Sequence, residues 1–232
     1  MKTIGLLGGM SWESTIPYYR IINRGVNERL GGLHSAKILL YSVDFDGIER
    51  LQHQDRWDEA GDVLVDAARR LETAGADFLI LCTNTMHKLA PQLEDALDIP
   101  MLHIADATAD AIRDAGINAV GLLGTRFTME QDFYRGRLEE KHGLRVLTPD
   151  EAGRAAVHDV IYHELCHGKV LDESRRRFVT VIDQLAGRGA EGVILGCTEI
   201  AMLTDGAQTA VPLFDTTTIH AAKAIQWALA ES

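Results

Sequence analysis

The chain repeats itself. Gly5-Leu6-Leu7-Gly8 returns 116 residues later as Gly121-Leu122-Leu123-Gly124, and Gly75-Ala76-Asp77-Phe78-Leu79-Ile80-Leu81 returns after 114 as Gly189-Ala190-Glu191-Gly192-Val193-Ile194-Leu195. Ile99-Pro100 recurs as Val211-Pro212 after 112 residues. Three anchors in the same order at nearly constant spacing mark a duplicated unit rather than chance composition. Short apolar runs bounded by glycine alternate with longer amphipathic stretches, the pattern of strand-helix units in a mostly parallel sheet. The expected strands are 3–7, 37–43, 78–81, 101–104, 119–123, 143–147, 193–195 and 213–214. Helical periodicity runs over 58–73 and 174–186, each ending near a glycine, Gly75 and Gly187. The predicted fold is α/β: two pseudo-symmetric open parallel-sheet domains. The repeat phase places the first at 1–107 with a returning 211–232, and the second at 108–210.

At 232 residues the chain can bury a sizeable core. Its 23 Lys and Arg against 34 Asp and Glu give a formal charge of −11. That balance repels nucleic acid and anionic membrane. The Arg175-Arg176-Arg177 run in a helical stretch reads as a solvated face. No apolar run approaches the roughly 18 residues of a membrane span. An odd set of cysteines, Cys82, Cys166 and Cys197, and a start without a signal-peptide cleavage pattern lead us to expect a reducing cytoplasm.

Ligands of open α/β sheets bind beyond the carboxyl ends of the strands. Sliding the two glycine-alanine-acid segments into register pairs Cys82 with Gly196, Thr83 with Cys197, Asn84 with Thr198, and Thr85 with Glu199. A single cysteine after an apolar run is ordinarily a small buried hydrophobe. Two matched polar strand ends are not demanded by packing, so the chemistry is expected there.

Gly5-Leu6-Leu7-Gly8-Gly9-Met10-Ser11-Trp12, Thr83-Asn84-Thr85-Met86-His87 and Gly196-Cys197-Thr198-Glu199 together resemble the aspartate/glutamate racemase family, across essentially the whole chain. The resemblance implies two pseudo-symmetric domains with the active site in the cleft between them, a small amino-acid substrate, no cofactor, and a homodimer. It also implies Cys197 and Thr83 as catalytic residues and Met10, Gln52, Asn84, Thr85, Thr198 and Glu199 as substrate contacts. One departure changes the mechanism. The family's first motif reads cysteine-asparagine-threonine, whereas Thr83 precedes Asn84-Thr85 here and Cys82 lies one position earlier. Strand side chains alternate between faces, so Cys82 is expected to point away from a site that Thr83 faces; a bulge would reverse this.

Racemisation needs a base on one face of the α-carbon and a proton donor on the other. A thiol of pKa about 8.5 can be lowered by neighbouring donors or helix N-termini, so Cys197 is read as a thiolate base, helped by Thr198 and the N–H groups after it. A threonine hydroxyl only donates or relays a proton, through water or a neighbour such as His87. In the glutamate racemases of the family the second-half cysteine takes the proton from the L-enantiomer, which implies that L-substrates are processed well here and D-substrates poorly. The six lysines and the Gly5–Gly9 loop show neither a pyridoxal signature nor the dinucleotide fingerprint, and carbanion charge would be offset by preorganised donors. An acidic side chain calls for cations or donors. Arg50 and Gln52 lie where the family places such contacts. Many aspartate racemases carry a lysine in the segment matching 161–169, where this chain has Cys166 and, three residues on, Lys169. Broader specificity than the acidic amino acids therefore stays open.

Three other readings compete. His163-Glu164-Leu165-Cys166-His167 matches the helical zinc-peptidase spacing, but no third ligand motif follows. Arylmalonate decarboxylases of the same superfamily also keep one cysteine of the pair, although Thr83-Asn84-Thr85 and Glu199 favour an amino acid. A non-catalytic two-lobed binding protein would use the same cleft without needing Cys197. Trp12, Trp57 and Trp227 read as core or interface aromatics, and Thr125 and Thr128 as substrate contacts or helix caps.

Overall fold

A computed structural model describes residues 1–230 of the chain. Eight strands form, one at each expected position: β1 (Ile4–Gly8), β2 (Ile38–Ser42), β3 (Phe78–Leu81), β4 (Met101–Leu102), β5 (Ala119–Gly124), β6 (Arg145–Leu147), β7 (Gly192–Gly196) and β8 (Leu213–Asp215). They pair in parallel as two four-stranded sheets, β2-β1-β3-β4 and β6-β5-β7-β8. The two periodic stretches are helices Trp57–Thr73 and Asp172–Gly187. The duplication seen in the sequence is thus one topology used twice.

The repeated glycines have a steric reason. A Cβ on Gly5 would lie 3.0 Å from Ala76 Cβ and 3.6 Å from Leu71, and one on Gly121 would lie 2.8 Å from Leu185. Leu71 and Leu185 are the matching helix residues of the two units, so in each a buried leucine packs straight onto the strand. At the strand ends, a Cβ on Gly8 would sit 2.5 Å from Thr15, and one on Gly124 2.9 Å from the Gly196 carbonyl oxygen. These glycines admit close neighbours at the place where each central strand opens into its loop.

The chain divides into two compact units, 1–104 with 220–232, and 105–219. The sequence reading returned the chain to the first unit at 211. Instead β8 pairs with β7 through Val193–Leu213, Ile194–Phe214 and Leu195–Asp215 and completes the second sheet. The return begins within the helix Thr216–Leu229. Its Ala221, Ala224, Ile225 and Ala228 recur at helical spacing and join the first core with Ile4, Leu6, Tyr18, Ile22, Phe78 and Ile80.

In that core His220 is fully buried. Its Nε2–H donates to the Leu102 carbonyl at 2.8 Å, and its Nδ1 accepts from the Tyr18 hydroxyl at 2.9 Å. A carbonyl only accepts, so the pair of contacts fixes one neutral tautomer. Burial lowers the imidazole pKa to about 4, against the opposing pull of the Leu102 carbonyl. The unfolded chain, with an ordinary histidine pKa near 6.5, takes up the proton first. Stability carried by neutral His220 is therefore complete above pH 6.5 and declines as pH falls toward 4, by on the order of 2 kcal/mol at pH 5. Thermal unfolding of the wild type is expected to weaken over that window. His220→Gln, which keeps a donor for Leu102, should be less stable at pH 7.5 and lose that part of the slope.

Candidate active site

In a sheet of order 2-1-3-4 the chain changes direction of winding between the two central strands, and their carboxyl ends frame the binding crevice. In the first unit these are the ends of β1 and β3, carrying Met10 and the segment 83–87. In the second they are the ends of β5 and β7, carrying Thr125 and 197–199. All the predicted site residues are buried here: Met10, Gln52, Thr83, Asn84, Thr85, Cys197, Thr198 and Glu199 are each under one-tenth exposed.

Following β3, Cys82 joins Phe78 and Ile80 in the hydrophobic core and is wholly inaccessible. Burial pushes its thiol pKa far above the usual range. Thr83 follows it, where the ladder ends with a Thr83 N–H bond to the Leu81 carbonyl at 2.9 Å. On the second unit's strand it is Val193, Leu195 and Cys197 that share a core cluster, so alternation places Cys197 on the face equivalent to Thr83 and opposite to that of Cys82.

His87, considered from sequence as a proton relay for Thr83, has another arrangement. Its Nε2 accepts the Ile104 N–H at 3.2 Å, which leaves Nδ1–H to donate to the Thr83 carbonyl at 2.7 Å. Both ring nitrogens engage main chain, so His87 holds the Thr83 backbone in place and is not disposed to shuttle protons to the hydroxyl. Gln52, buried on the helix Phe45–His53, donates from Nε2 to Met86 Sδ at 2.6 Å, and among the described residues its Oε1 has no hydrogen-bond partner. An unpaired buried amide oxygen is costly, and Gln52 contacts the residue next to Thr85. Arg50, two positions earlier on that helix, is exposed and paired with Asp46 at 3.0 Å; positions i and i+2 do not share a helix face.

In the second unit Cys197 Sγ donates to Glu199 Oε2 at 3.1 Å, and Thr198 Oγ1 donates to the same oxygen at 2.5 Å. The sequence led us to expect a thiol pKa lowered by donors. The structure reverses that: burial raises the Cys197 pKa well above the ordinary value, and the Glu199 carboxylate raises it further. Thr198, expected to help hold a thiolate, spends its hydroxyl on Glu199. Cys197 thus points its thiol at a carboxylate oxygen, and burial disfavours a thiolate there. The role of Glu199 as thiol partner was not anticipated; the two-residue spacing in Cys197-Thr198-Glu199 was the available signal. Thr125 caps the helix Arg126–Glu130 by accepting from Thr128 N–H at 3.4 Å. Cys166 packs against the cluster containing Cys197, and burial, then Glu199, pushes its pKa to about 12.

The zinc-peptidase spacing does not survive folding. The helix Glu151–His163 ends at the first histidine, Leu165–His167 forms a separate 3₁₀ turn, and Glu164 accepts from Ser174 Oγ at 2.5 Å. The two imidazoles therefore do not lie on successive turns of one α-helix.

Comparison with known proteins agrees with this geometry. The Asp/Glu/hydantoin racemase family model matches residues 7–224. The broad specificity amino-acid racemase RacX of Bacillus subtilis is 26% identical, over 98% of each chain. The crystal structure of a candidate Asp/Glu racemase from Yersinia pestis is 56% identical with a TM-score of 0.93, covering 99% of this chain and 100% of that one. An aspartate racemase homologue from Pyrococcus horikoshii is 33% identical with a TM-score of 0.85, covering 98% and 99%. A buried thiol-carboxylate pair at the end of β7, a threonine at the equivalent end of β3 and a family match spanning nearly the whole sequence lead to one assignment: the chain belongs to the Asp/Glu/hydantoin racemase family.

Proposed function

We propose that this protein racemises L-aspartate and L-glutamate without a cofactor, Cys197 removing the α-proton. The observation that carries the reading is the Cys197–Glu199 pair, a buried thiol donating to a carboxylate. Glu199 accepts the thiol proton, the thiolate so formed takes the α-proton of the L-enantiomer, Thr83 delivers a proton to the other face of the carbanion and regains one from solvent, and Glu199 releases its proton to solvent to restore the resting pair. Asn84, Thr85 and Thr198, with Met10 and Gln52, form the substrate contacts. A hydroxyl is scarcely ionised at neutral pH, so the reverse reaction lacks a ready base and D-substrates react slowly.

A broader amino-acid range is the second reading. It is favoured by Arg50, which faces solvent with Asp46 rather than a ligand, by Cys166 in place of a cation, and by similarity to a broad specificity racemase. A cytoplasmic homodimer completes the proposal. Trp12, Ile16 and Tyr19, at i, i+4 and i+7 of the helix Trp12–Leu30, are 61%, 42% and 55% exposed, an apolar stripe suited to a second copy. Sedimentation should give twice the chain mass for the wild type and a lighter species for Ile16→Glu.

The test of activity is α-proton exchange in D₂O with chiral analysis, on L-aspartate, L-glutamate and L-homoserine without added cofactor. We expect exchange with formation of the D-enantiomer from the acidic pair, its loss in Cys197→Ser, and a much lower turnover starting from D-glutamate. Comparable turnover from both enantiomers would sink the role given to Thr83; no exchange with any amino acid would move the reading to decarboxylation or binding. Glu199→Gln should lower kcat/KM at pH 7 about 10²-fold. It also removes a charge that raises the Cys197 pKa, so activity should recover as pH rises and the thiol ionises unaided.

A further inference from the structure

Among the buried polar side chains, Thr217 is not accounted for by anything above. It is 3% exposed, and among the described residues no group pairs with its Oγ1. The neighbours on its turn are committed. Asp215 accepts from Thr217 N–H at 3.0 Å and from Thr218 Oγ1 at 2.5 Å, and Thr216 Oγ1 donates to the Leu195 carbonyl at 2.8 Å. A buried hydroxyl without a partner costs free energy that packing does not return.

Its place in the fold is specific. β7 and β8 pair Leu195 with Asp215; Thr217 follows two residues after that last pair, at the same carboxyl edge of the sheet where Cys197 follows β7. Thr217 also lies in the first turn of the 14-residue helix Thr216–Leu229, where backbone N–H groups and the helix dipole favour an anion. The repeat supplies a comparison. At the 112-residue offset that relates Ile99-Pro100 to Val211-Pro212, Thr217 answers to Ala105, which is fully buried. A methyl group therefore satisfies packing at the equivalent position of the duplication.

We propose that Thr217 is a further substrate-binding residue, its hydroxyl donating to a carboxylate of the amino acid held next to Cys197. This rests on the racemase reading for its site but is tested by binding as well as turnover. Either the α-carboxylate or the side-chain carboxylate presents this chemistry, and the choice of ligand separates them.

The experiment compares wild type, Thr217→Val, Thr217→Ala and Thr217→Ser by calorimetric binding of L-glutamate, L-glutamine and glutarate, together with α-proton exchange and thermal unfolding. Val is nearly isosteric, and Ala reproduces the residue at the equivalent position of the repeat, so one folded hydroxyl-free variant is secured. Removing the hydroxyl is expected to weaken L-glutamate binding about 10-fold, raising KM with kcat little changed, while Ser restores affinity. Because the hydroxyl is unpaired in this structure, Val should at the same time raise the unfolding midpoint by about 2–4 °C. A merely structural threonine would not give opposite signs in stability and binding. Equal penalties for glutamate and glutamine assign the α-carboxylate, and a penalty for glutamate alone assigns the side chain. Unchanged affinity in Val and Ala overturns the proposal, as does a failure of the wild type to bind any of the three. Wild-type binding without α-proton exchange would end the racemase reading, and the affinity ratio would still decide Thr217.

Discussion

The structure depends first on the parallel pairing of two central strands in each unit, β1 with β3 and β5 with β7. Parallel ladders bury both faces of the sheet, so these strands are apolar from end to end and the polar side chains lie beyond their ends, Asp77 and Glu191 before β3 and β7 and the site residues after them. The close approach permitted by Gly5 and Gly121 lets Leu71 and Leu185 cover the strands directly. Once the ladder ends, the chain must turn within a few residues into a helix, and the side chains at the turn are fixed by backbone already committed to the sheet. The placement of those side chains is inherited from the ladder.

Burial sets the chemistry as firmly as it sets the geometry. An isolated cysteine at the end of β7 would be an inert thiol, as Cys82 is at the end of β3, because a charged sulfur would lose its hydration. What distinguishes Cys197 is a carboxylate at hydrogen-bond distance that can take the proton without either group leaving the site. The pair carries one negative charge before and after that transfer, so no new charge is buried.

Much of this was legible in the sequence because the duplication supplied register. Eight strands fell where the glycine-bounded apolar runs lie, and alternation alone separated Cys82 from Thr83. What was not legible depended on contacts far apart in the chain. The return to the first unit was set nine residues early, because β8 pairs with β7 through a ladder that no local pattern announces. The His87 ring is held by Ile104, 17 positions away, and the helical zinc spacing failed because its helix stops at His163. The direction of the Cys197 shift was misjudged for a related reason. Motif spacing shows that Glu199 is near, but only the folded site shows that the thiol points at its oxygen and that both are buried.

Duplication also offers a way to separate what packing requires from what chemistry requires. Where the two units carry the same residue, as with the strand glycines and Leu71 and Leu185, one steric demand explains both. Where equivalent buried positions differ, packing cannot be the reason for both choices. Thr83 answers to Cys197 and Ala105 to Thr217, and the buried His87 answers to Ala201, which is only partly buried. In the first unit an imidazole bonded to main chain on both nitrogens fixes the threonine backbone; in the second that position is a methyl group, and the polar groups are instead an ionisable pair and a hydroxyl. The divergence is therefore directional. One strand end holds its threonine backbone still and the other sets a buried thiol against a carboxylate, so the two ends are chemically unequal.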